Sequence, residues 1–286
     1  MKRLNTEKCD AILLASDPVN ASCRNRVLSA CKNIRKNILN IAKKSGHGHI
    51  PTCFSVIEIL YAIYNSIKHD PLNPQWEERD IFILSKGHAA LAHYCVLAEF
   101  GYFDVKKIDL FGSFMSDFGC HADRFKVPGI EASTGSLGHG IGLAVGIALA
   151  FRIRNTERSV VTLIGDGESN EGSVWEAVLV AESLKLGNLT IIYDNNMSHS
   201  RGLQIHNPVD HFRGFGCHVV EVNGHNVNSL AAEVKNQGTT VKVVVANTKK
   251  GYGCETLTKN QYEWHRRSPN DEEYLTLIKE LDEETI

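Results

Sequence analysis

Asp166 stands between Gly165 and Gly167, and about thirty residues later the chain reads Asp194-Asn195-Asn196. A carboxylate flanked by glycines makes a tight turn whose backbone a ligand can approach closely. Oxygen ligands from an aspartate and an asparagine, set beside glycine amides, suit Mg²⁺ or Ca²⁺ carrying a diphosphate. Hard cations prefer oxygen, and Mg²⁺ shares its shell with substrate phosphates. Taken alone, Gly-Asp-Gly is an ordinary β-turn; the second oxygen-bearing group at this distance makes it a candidate site. The other candidates are histidines in short glycine-containing or aromatic words: His47 and His49 in SGHGHIP, His88 in SKGH, His121 in GCH and His265 in WH. Histidine titrates near neutral pH and can move protons on and off hydroxyl groups. By themselves, the His47–His49 segment reads as a metal site or, more simply, as a solvated loop, and His121 as a loop histidine.

The flanking segments would place these residues along one edge of a sheet. Val160 to Ile164 is a short β-branched run, the pattern of a strand buried on both faces. Val174, Trp175, Val178, Leu179 and Leu184 follow at helical spacing, and Leu189 to Tyr193 is a second apolar run. This β-α-β unit brings Asp166 and an asparagine amide to the carboxyl edge, where open parallel sheets bind ligands. Further strands are expected at Asp80–Leu84, Val219–Val222 and Val241–Ala246. Helices are expected over Arg24–Lys44, after Pro51, from Ala89 to Phe100 and over Val227–Val234. Ser85-Lys86-Gly87-His88 lies before a helix N-terminus, which offers free amides to an anion. Gly138, Gly142 and Gly146 recur one helical turn apart, predicting a buried helix near a subunit contact. Asn270 and Glu273 predict a capped closing helix. Alternating strands and helices predict an α/β fold, with a mostly parallel β-sheet flanked by helices on both faces.

The chain has 286 residues, 43% of them apolar and 22% charged, with a net charge of −2. That balance gives no reason to expect nucleic acid or a membrane as partner. Ala11 to Ala15 is too short for a signal peptide, and Leu137 to Phe151 too short and glycine-rich for a membrane span. The eight cysteines, Cys9, Cys23, Cys31, Cys53, Cys95, Cys120, Cys217 and Cys254, include no CxxC pair. Reduced, mostly buried thiols in a cytoplasmic protein are the expectation.

The words GDGESNEGSVWEA and LKLGNLTIIYDNN resemble the thiamine-diphosphate motif as transketolases carry it. The resemblance implies that Gly165, Asp166, Gly167 and Asn196 hold the diphosphate through Mg²⁺ or Ca²⁺. Asp166, Asn196 and the backbone carbonyl of Ser198 would be the metal ligands. SGHGH is similar to the SGHPG-type loop, so His47 would approach the donor ketose; Gly48 replaces the usual proline, and His49 has no assigned role. RDIFILSKGH resembles the RDRFVLSNGH-type segment, implying that His88 touches the diphosphate. GIEASTGSLGHG resembles the GVEVTTGPLGQG-type loop, whose backbone at Gly135 and Leu137 would hold the aminopyrimidine; His139 replaces the common glutamine. His121 would contact the thiazolium region and the reacting hydroxyl. TKKGYG and WH resemble the TKKGKG…WHG segment, making His265 a residue of both cofactor and substrate. Glu171 and Glu176, which read alone as helix surface, would lie between two cofactors at a dimer interface.

The resemblance runs from about Arg24 to Pro269. It implies a thiamine-diphosphate-binding (PP-type) domain over residues 1–286, with 1–23 as an N-terminal arm and 270–286 as the closing helix. The implied activity is a transferase of carbohydrate metabolism, moving a two-carbon ketol unit from a ketose phosphate to an aldose phosphate. Proton transfers would fall to His47, His121 and His265. Nothing here resembles the family's pyrimidine-binding and C-terminal domains. The expectation is therefore the N-terminal subunit of a split transketolase, which works in an α₂β₂ heterotetramer with a separate C-terminal subunit. Two other readings remain: a two-chain ketol-transfer or oxo-acid enzyme with a non-sugar acceptor, and a non-catalytic binding subunit.

Overall fold

The computed structural model describes residues 18–235 and 238–283. Five strands form one parallel sheet in the order β1-β2-β3-β5-β4. They are β1 (Ile81–Leu84), β2 (Val160–Gly165), β3 (Leu189–Asn195), β4 (His218–Asn223) and β5 (Lys242–Asn247). The expected strands are thus all present, at bounds close to those expected. Alternation within the strands separates two cores. Val161, Leu163, Ile192 and Val244 face one, whereas Val160, Ile164, Ile191 and Val245 face the other.

The first core is covered by α1 (Pro18–Ser45), α2 (Ile50–Ser55), α3 (Ile57–Tyr64), α4 (Ala90–Glu99) and α8 (Val227–Lys235). The second is covered by α5 (Gly140–Ile153), α6 (Gly172–Ser183) and α7 (Pro208–Gly214). Helix α1 begins at Pro18, earlier than the Arg24 expected, and takes in the last residues of the expected arm. The first 17 residues of that expected arm lie outside the described residues. The helix expected after Pro51 is two, broken at Val56 (φ −109°, ψ 2°). Short α9 (Glu255–Lys259) and the closing α10 (Asp271–Glu283) complete the chain order. The predicted cap of α10 forms as a reciprocal box: Glu273 N–H donates to Asn270 Oδ1 at 2.9 Å, and Asn270 N–H donates to Glu273 Oε2 at 2.9 Å. Leu277 and Leu281 are buried beneath it.

The glycine helix departs from expectation. Gly138 precedes α5 and has φ +78°, so it is not helical. Gly142 and Gly146 are exposed, and a Cβ added at either would meet nothing within 4 Å. Ile141, Ala144 and Ala148 form the buried face instead, leaving the glycine face open beside exposed Leu143, Leu179 and Val180. No helix among the described residues is long and apolar enough to cross a membrane. Cys31, Cys53, Cys95, Cys120, Cys217 and Cys254 are free thiols, and all of these but Cys120 are buried.

One buried ion pair ties the helical layer to the loop after β5. Arg35 on α1 contacts Glu58 on α3 at 2.6 Å, and Arg35 Nε donates to the Tyr252 carbonyl at 3.0 Å. His225 Nδ1 lies 3.1 Å from the other Glu58 oxygen, and its ring stacks on Tyr252 at 3.6 Å. Arg35 and His225 hold the Glu58 carboxyl below its ordinary range although burial opposes them. Removing one member of a buried pair typically costs about 3–5 kcal/mol. Glu58→Gln should lower unfolding free energy by that order in urea titrations at pH 7. Because the folded pKa is depressed, the difference from wild type should shrink as pH falls below the unfolded value of about 4.3.

Candidate functional site

Parallel register sets the site. Gly165 is paired with Asp194, Asp194 with Ala246 and Asn195 with Asn247, so the carboxyl ends of β2, β3 and β5 finish level. Ser85-Lys86 leaves β1 at the same edge, because Leu84 is paired with Leu163. Beyond these ends lies a cavity of about 640 Å³. It is lined by the predicted Gly165, Asp166, Gly167, Asn196 and Ser198, together with His88, Gly135, Leu137 and His265. Nine positions chosen from separate words of the sequence therefore meet in one cleft.

Its floor is a buried ion pair that the sequence did not reveal. Lys86 Nζ lies 2.5 Å from Asp194 Oδ2, with the two side chains 1% and 0% exposed. The same carboxylate accepts from Ser55 Oγ at 3.0 Å, from Asn196 Nδ2 at 2.7 Å and from the Thr248 hydroxyl. That contact fixes the Asn196 amide: its nitrogen is committed to Asp194, and Oδ1 accepts from Ser198 N–H at 3.0 Å. Asp166 Oδ1 accepts from Gly167 N–H at 2.6 Å, and Oδ2 lies 2.8 Å from His199 Nδ1. Burial and the nearby Asp194 raise Asp166 above the usual carboxylate range.

A second knot holds the glycine turns. Buried Glu168 accepts from Ser85 Oγ at 2.5 Å and Gly138 N–H at 2.9 Å through one oxygen, and from Gly165 N–H at 3.1 Å through the other. Burial raises its pKa while these donors oppose the shift. Gly135 has φ +151°, and a Cβ there would lie 2.6 Å from His121 Cδ2.

The histidines divide between two cavities. His47 and His121 line a smaller one of about 140 Å³, which shares His49 and His88 with the larger. His47 is wedged against Phe111, with ring centroids 5.2 Å apart, and Cys120 Sγ lies 3.6 Å from its Nδ1. A Cβ on Gly112, where φ is +69°, would meet the His47 ring at 2.1 Å. Burial and then Lys86 push His88 well below the ordinary histidine value, and its Nε2 lies 3.3 Å from Thr52 Oγ1. Burial, His265 and Arg266 push His49 down to about 4. His265 is also lowered, by burial, Lys250 and Arg266. Lys250 Nζ contacts Ser198 Oγ at 2.7 Å and His265 Nδ1 at 3.2 Å, and burial with Lys86 pushes it down to about 8. His49, Lys86, Glu168, His199 and Lys250 were the residues missed. Lys86, His49, Glu168 and Lys250 lay inside the recognised words, and their residue types were the available signal.

Glu171 and Glu176 reach neither cavity. Glu171 is the exposed N-cap of α6, and Glu176 is exposed on the same open face as Leu179 and Val180. Glu171 packs on the Gly138 turn, where an added Cβ would meet its Cβ at 2.8 Å, and its N–H donates to the Glu168 carbonyl at 2.9 Å.

The donor set fits a cation that arrives with an anionic ligand. Among the described residues no three His, Cys, Asp or Glu side chains are grouped to hold a metal. If Asp166, the Asn196 amide oxygen and a Ser198 carbonyl held a cation, they would fill only part of an octahedral shell, with positions left for phosphate oxygens and water. Lys250 and the glycine amides supply positive charge and donors for the anion.

The family described as the thiamine-diphosphate-binding domain of transketolase matches residues 27–281. Over 261 residues the chain is 36% identical to the 6-deoxy-6-sulfo-D-fructose transketolase subunit SqwG of Clostridium sp., covering 88% of this chain and 94% of that protein. It is 37% identical over 265 residues to one of the subunits of the apulose-4-phosphate transketolase of Actinobacillus succinogenes, covering 88% and 95%. The crystal structure of transketolase from Campylobacter jejuni matches with a TM-score of 0.81 and 26% identity, over 90% of this chain and 43% of that one. The chain thus spans less than half the length of that solved relative.

Gly135→Ala tests the packing of the turn on His121. It should cost about 1–3 kcal/mol, read in urea titrations, and should move the His121 ring resonances in NMR spectra.

Proposed function

The chain belongs to the transketolase thiamine-diphosphate-binding family, and on that premise we propose that it is the cofactor-diphosphate subunit of a two-chain transketolase. With a separate C-terminal subunit it transfers a two-carbon ketol unit from a ketose phosphate to an aldose phosphate. The observation that carries this reading is the single cleft in which Asp166, Asn196, Ser198, His88 and His265 converge beside Lys250. Support for a partner comes from relatives matched over nearly their full length and named as subunits. The substrates in those names carry a sulfonate in one case and a phosphate in the other. The open glycine face of α5, with exposed Leu143, Leu179 and Val180, supports a second copy as neighbour and hence an α₂β₂ assembly. Glu171 and Glu176 lie on the neighbouring surface and would act between copies. A cytoplasmic location accompanies this reading.

Asp166, the Asn196 amide oxygen and the Ser198 carbonyl would hold Mg²⁺ or Ca²⁺. Gly165, Gly167, His88 and Lys250 would receive the diphosphate, and the backbone at Gly135 and Leu137 the aminopyrimidine. Thiamine diphosphate supplies a stabilised carbanion for carbon–carbon cleavage. The protein's share is to orient the sugar and manage protons. His47 and His121 face the smaller cavity, and His265 the larger. Their ring nitrogens can take protons from sugar hydroxyls and return them. The depressed pKa of His265 keeps its imidazole neutral at pH 7, ready to accept a proton. Hydrogen bonds from these rings stabilise alkoxide charge where it develops.

The test is co-purification with the C-terminal subunit, followed by assay of ketol transfer from a ketose phosphate with Mg²⁺ and thiamine diphosphate. Activity should require both chains. It should fall about 100-fold or more in Asp166→Ala, since even residues behind a metal ligand are worth roughly 10- to 100-fold. Chelation with EDTA should release the cofactor, and added Mg²⁺ or Ca²⁺ should restore binding. A complex that binds cofactor yet transfers from no ketose would sink the substrate reading and keep the cofactor reading.

A further inference from the structure

His199 is a buried histidine with no part in the proton transfers. Its side chain is 4% exposed and lines the larger cavity with Asp166, Asn196 and Ser198. The local backbone holds it there. Met197 takes the left-handed conformation (φ 58°, ψ 27°), its own side chain is 48% exposed, and a short helical turn over Ser198–Arg201 follows. The His199 N–H donates to Asp166 Oδ2 at 3.4 Å, which ties the start of that turn to the carboxylate.

The ring has an unusual relation to the same oxygen. Nδ1 lies 2.8 Å from Asp166 Oδ2, yet it makes no hydrogen bond with any described residue. The nitrogen is therefore close to the oxygen without being directed at it. A protonated imidazole would donate through both ring nitrogens, and this one finds no acceptor in line. A neutral ring nitrogen with its lone pair free is instead a metal ligand. The spacing agrees. Two donors each about 2.1 Å from one ion, at right angles, stand about 3 Å apart. Among the described residues no third His, Cys, Asp or Glu completes a cage. The other positions would fall to the Asn196 amide oxygen, the Ser198 carbonyl and the diphosphate. Oxygen donors alone suit Mg²⁺ or Ca²⁺, whereas an imidazole nitrogen favours the later first-row ions.

We propose that His199 is a ligand of the cation at Asp166, and that its nitrogen turns the site toward transition ions such as Co²⁺ and Ni²⁺ over Mg²⁺ and Ca²⁺. The assignment rests on the reading of this cleft as a metal-diphosphate site and adds to it which class of ion the site selects.

The experiment uses the two-chain complex loaded with thiamine diphosphate. Mn²⁺ is bound as a probe to protein with isotope-labelled histidine nitrogens, and pulsed EPR spectra are recorded. Coupling of the manganese to a histidine nitrogen is expected in wild type and should vanish in His199→Asn. Dissociation constants for Mg²⁺, Co²⁺ and Ni²⁺ are then measured by calorimetry. Asparagine keeps a short polar side chain with an amide oxygen, so Mg²⁺ should bind nearly as in wild type. The preference for Co²⁺ over Mg²⁺, as a ratio of dissociation constants, should fall about 10- to 100-fold in the variant. No histidine coupling in wild type, or coupling that survives in His199→Asn, overturns the proposal. Equal loss of affinity for every ion overturns it too, since that is what a purely structural role produces. The wild-type spectrum decides the matter even where the variant does not fold. A wild type that binds none of these ions refutes the metal-diphosphate reading and this ligand together, whereas binding without histidine coupling removes the nitrogen ligand alone.

Discussion

The floor of the cleft depends on the Lys86–Asp194 ion pair. Two opposite charges removed from water are a heavy desolvation burden unless their remaining hydrogen-bonding positions are filled. Asp194 fills them with Ser55, Asn196 and Thr248, which come from α2, the end of β3 and the loop after β5. One carboxylate thereby fixes the relative positions of four chain segments. The sheet supplies the level edge, and this pair converts the edge into a defined floor. It also fixes the Asn196 amide, whose nitrogen donates to Asp194 and whose oxygen accepts from Ser198 N–H.

Charge is distributed over the cleft in an uneven way that suits its use. The carboxylates are concentrated at the floor, where Asp166 and Glu168 are both raised in pKa by burial. The rim carries Lys250, Arg266 and histidines held neutral by burial and by those same cations. A cation can settle low and an anion above it, with neutral imidazoles at the border between the two. Because the histidines are lowered by neighbouring positive charge as well as by burial, a bound anion would return some of their basicity.

Much of this was legible in the sequence, for reasons that differ by residue. Asp166 and Asn196 could be placed together because β-branched runs end at both, and parallel strands in register must deliver their ends to one edge. His88 and His265 came from words that a known family shares. Lys86 sat in one of those words and was passed over, because its partner Asp194 lies 108 residues away and only the register brings them together. Glu168 was hidden for a similar reason: besides neighbouring Gly165, its donors Ser85 and Gly138 come from distant loops. Gly142 and Gly146 share one face of α5 as their spacing implies, but spacing shows which residues share a helix face and not what covers it. Exposure of Glu171 and Glu176 in the single chain follows from the same limit. Their companions on that surface are apolar, which no intrachain periodicity explains.

The level finish of the strands has a bearing on how this protein can change. Side chains alternate along a strand, so slipping one strand by a residue would exchange its two faces. It would also move Gly165 off Asp194. Length is therefore nearly frozen at the edge that carries the cleft. The opposite edge is under no such constraint: the exposed turn around Leu72 and Asn73 leads into the amino end of β1 and touches neither cavity. An insertion would be tolerated more readily there, whereas the carboxyl edge can change by exchange of one side chain for another but hardly in length.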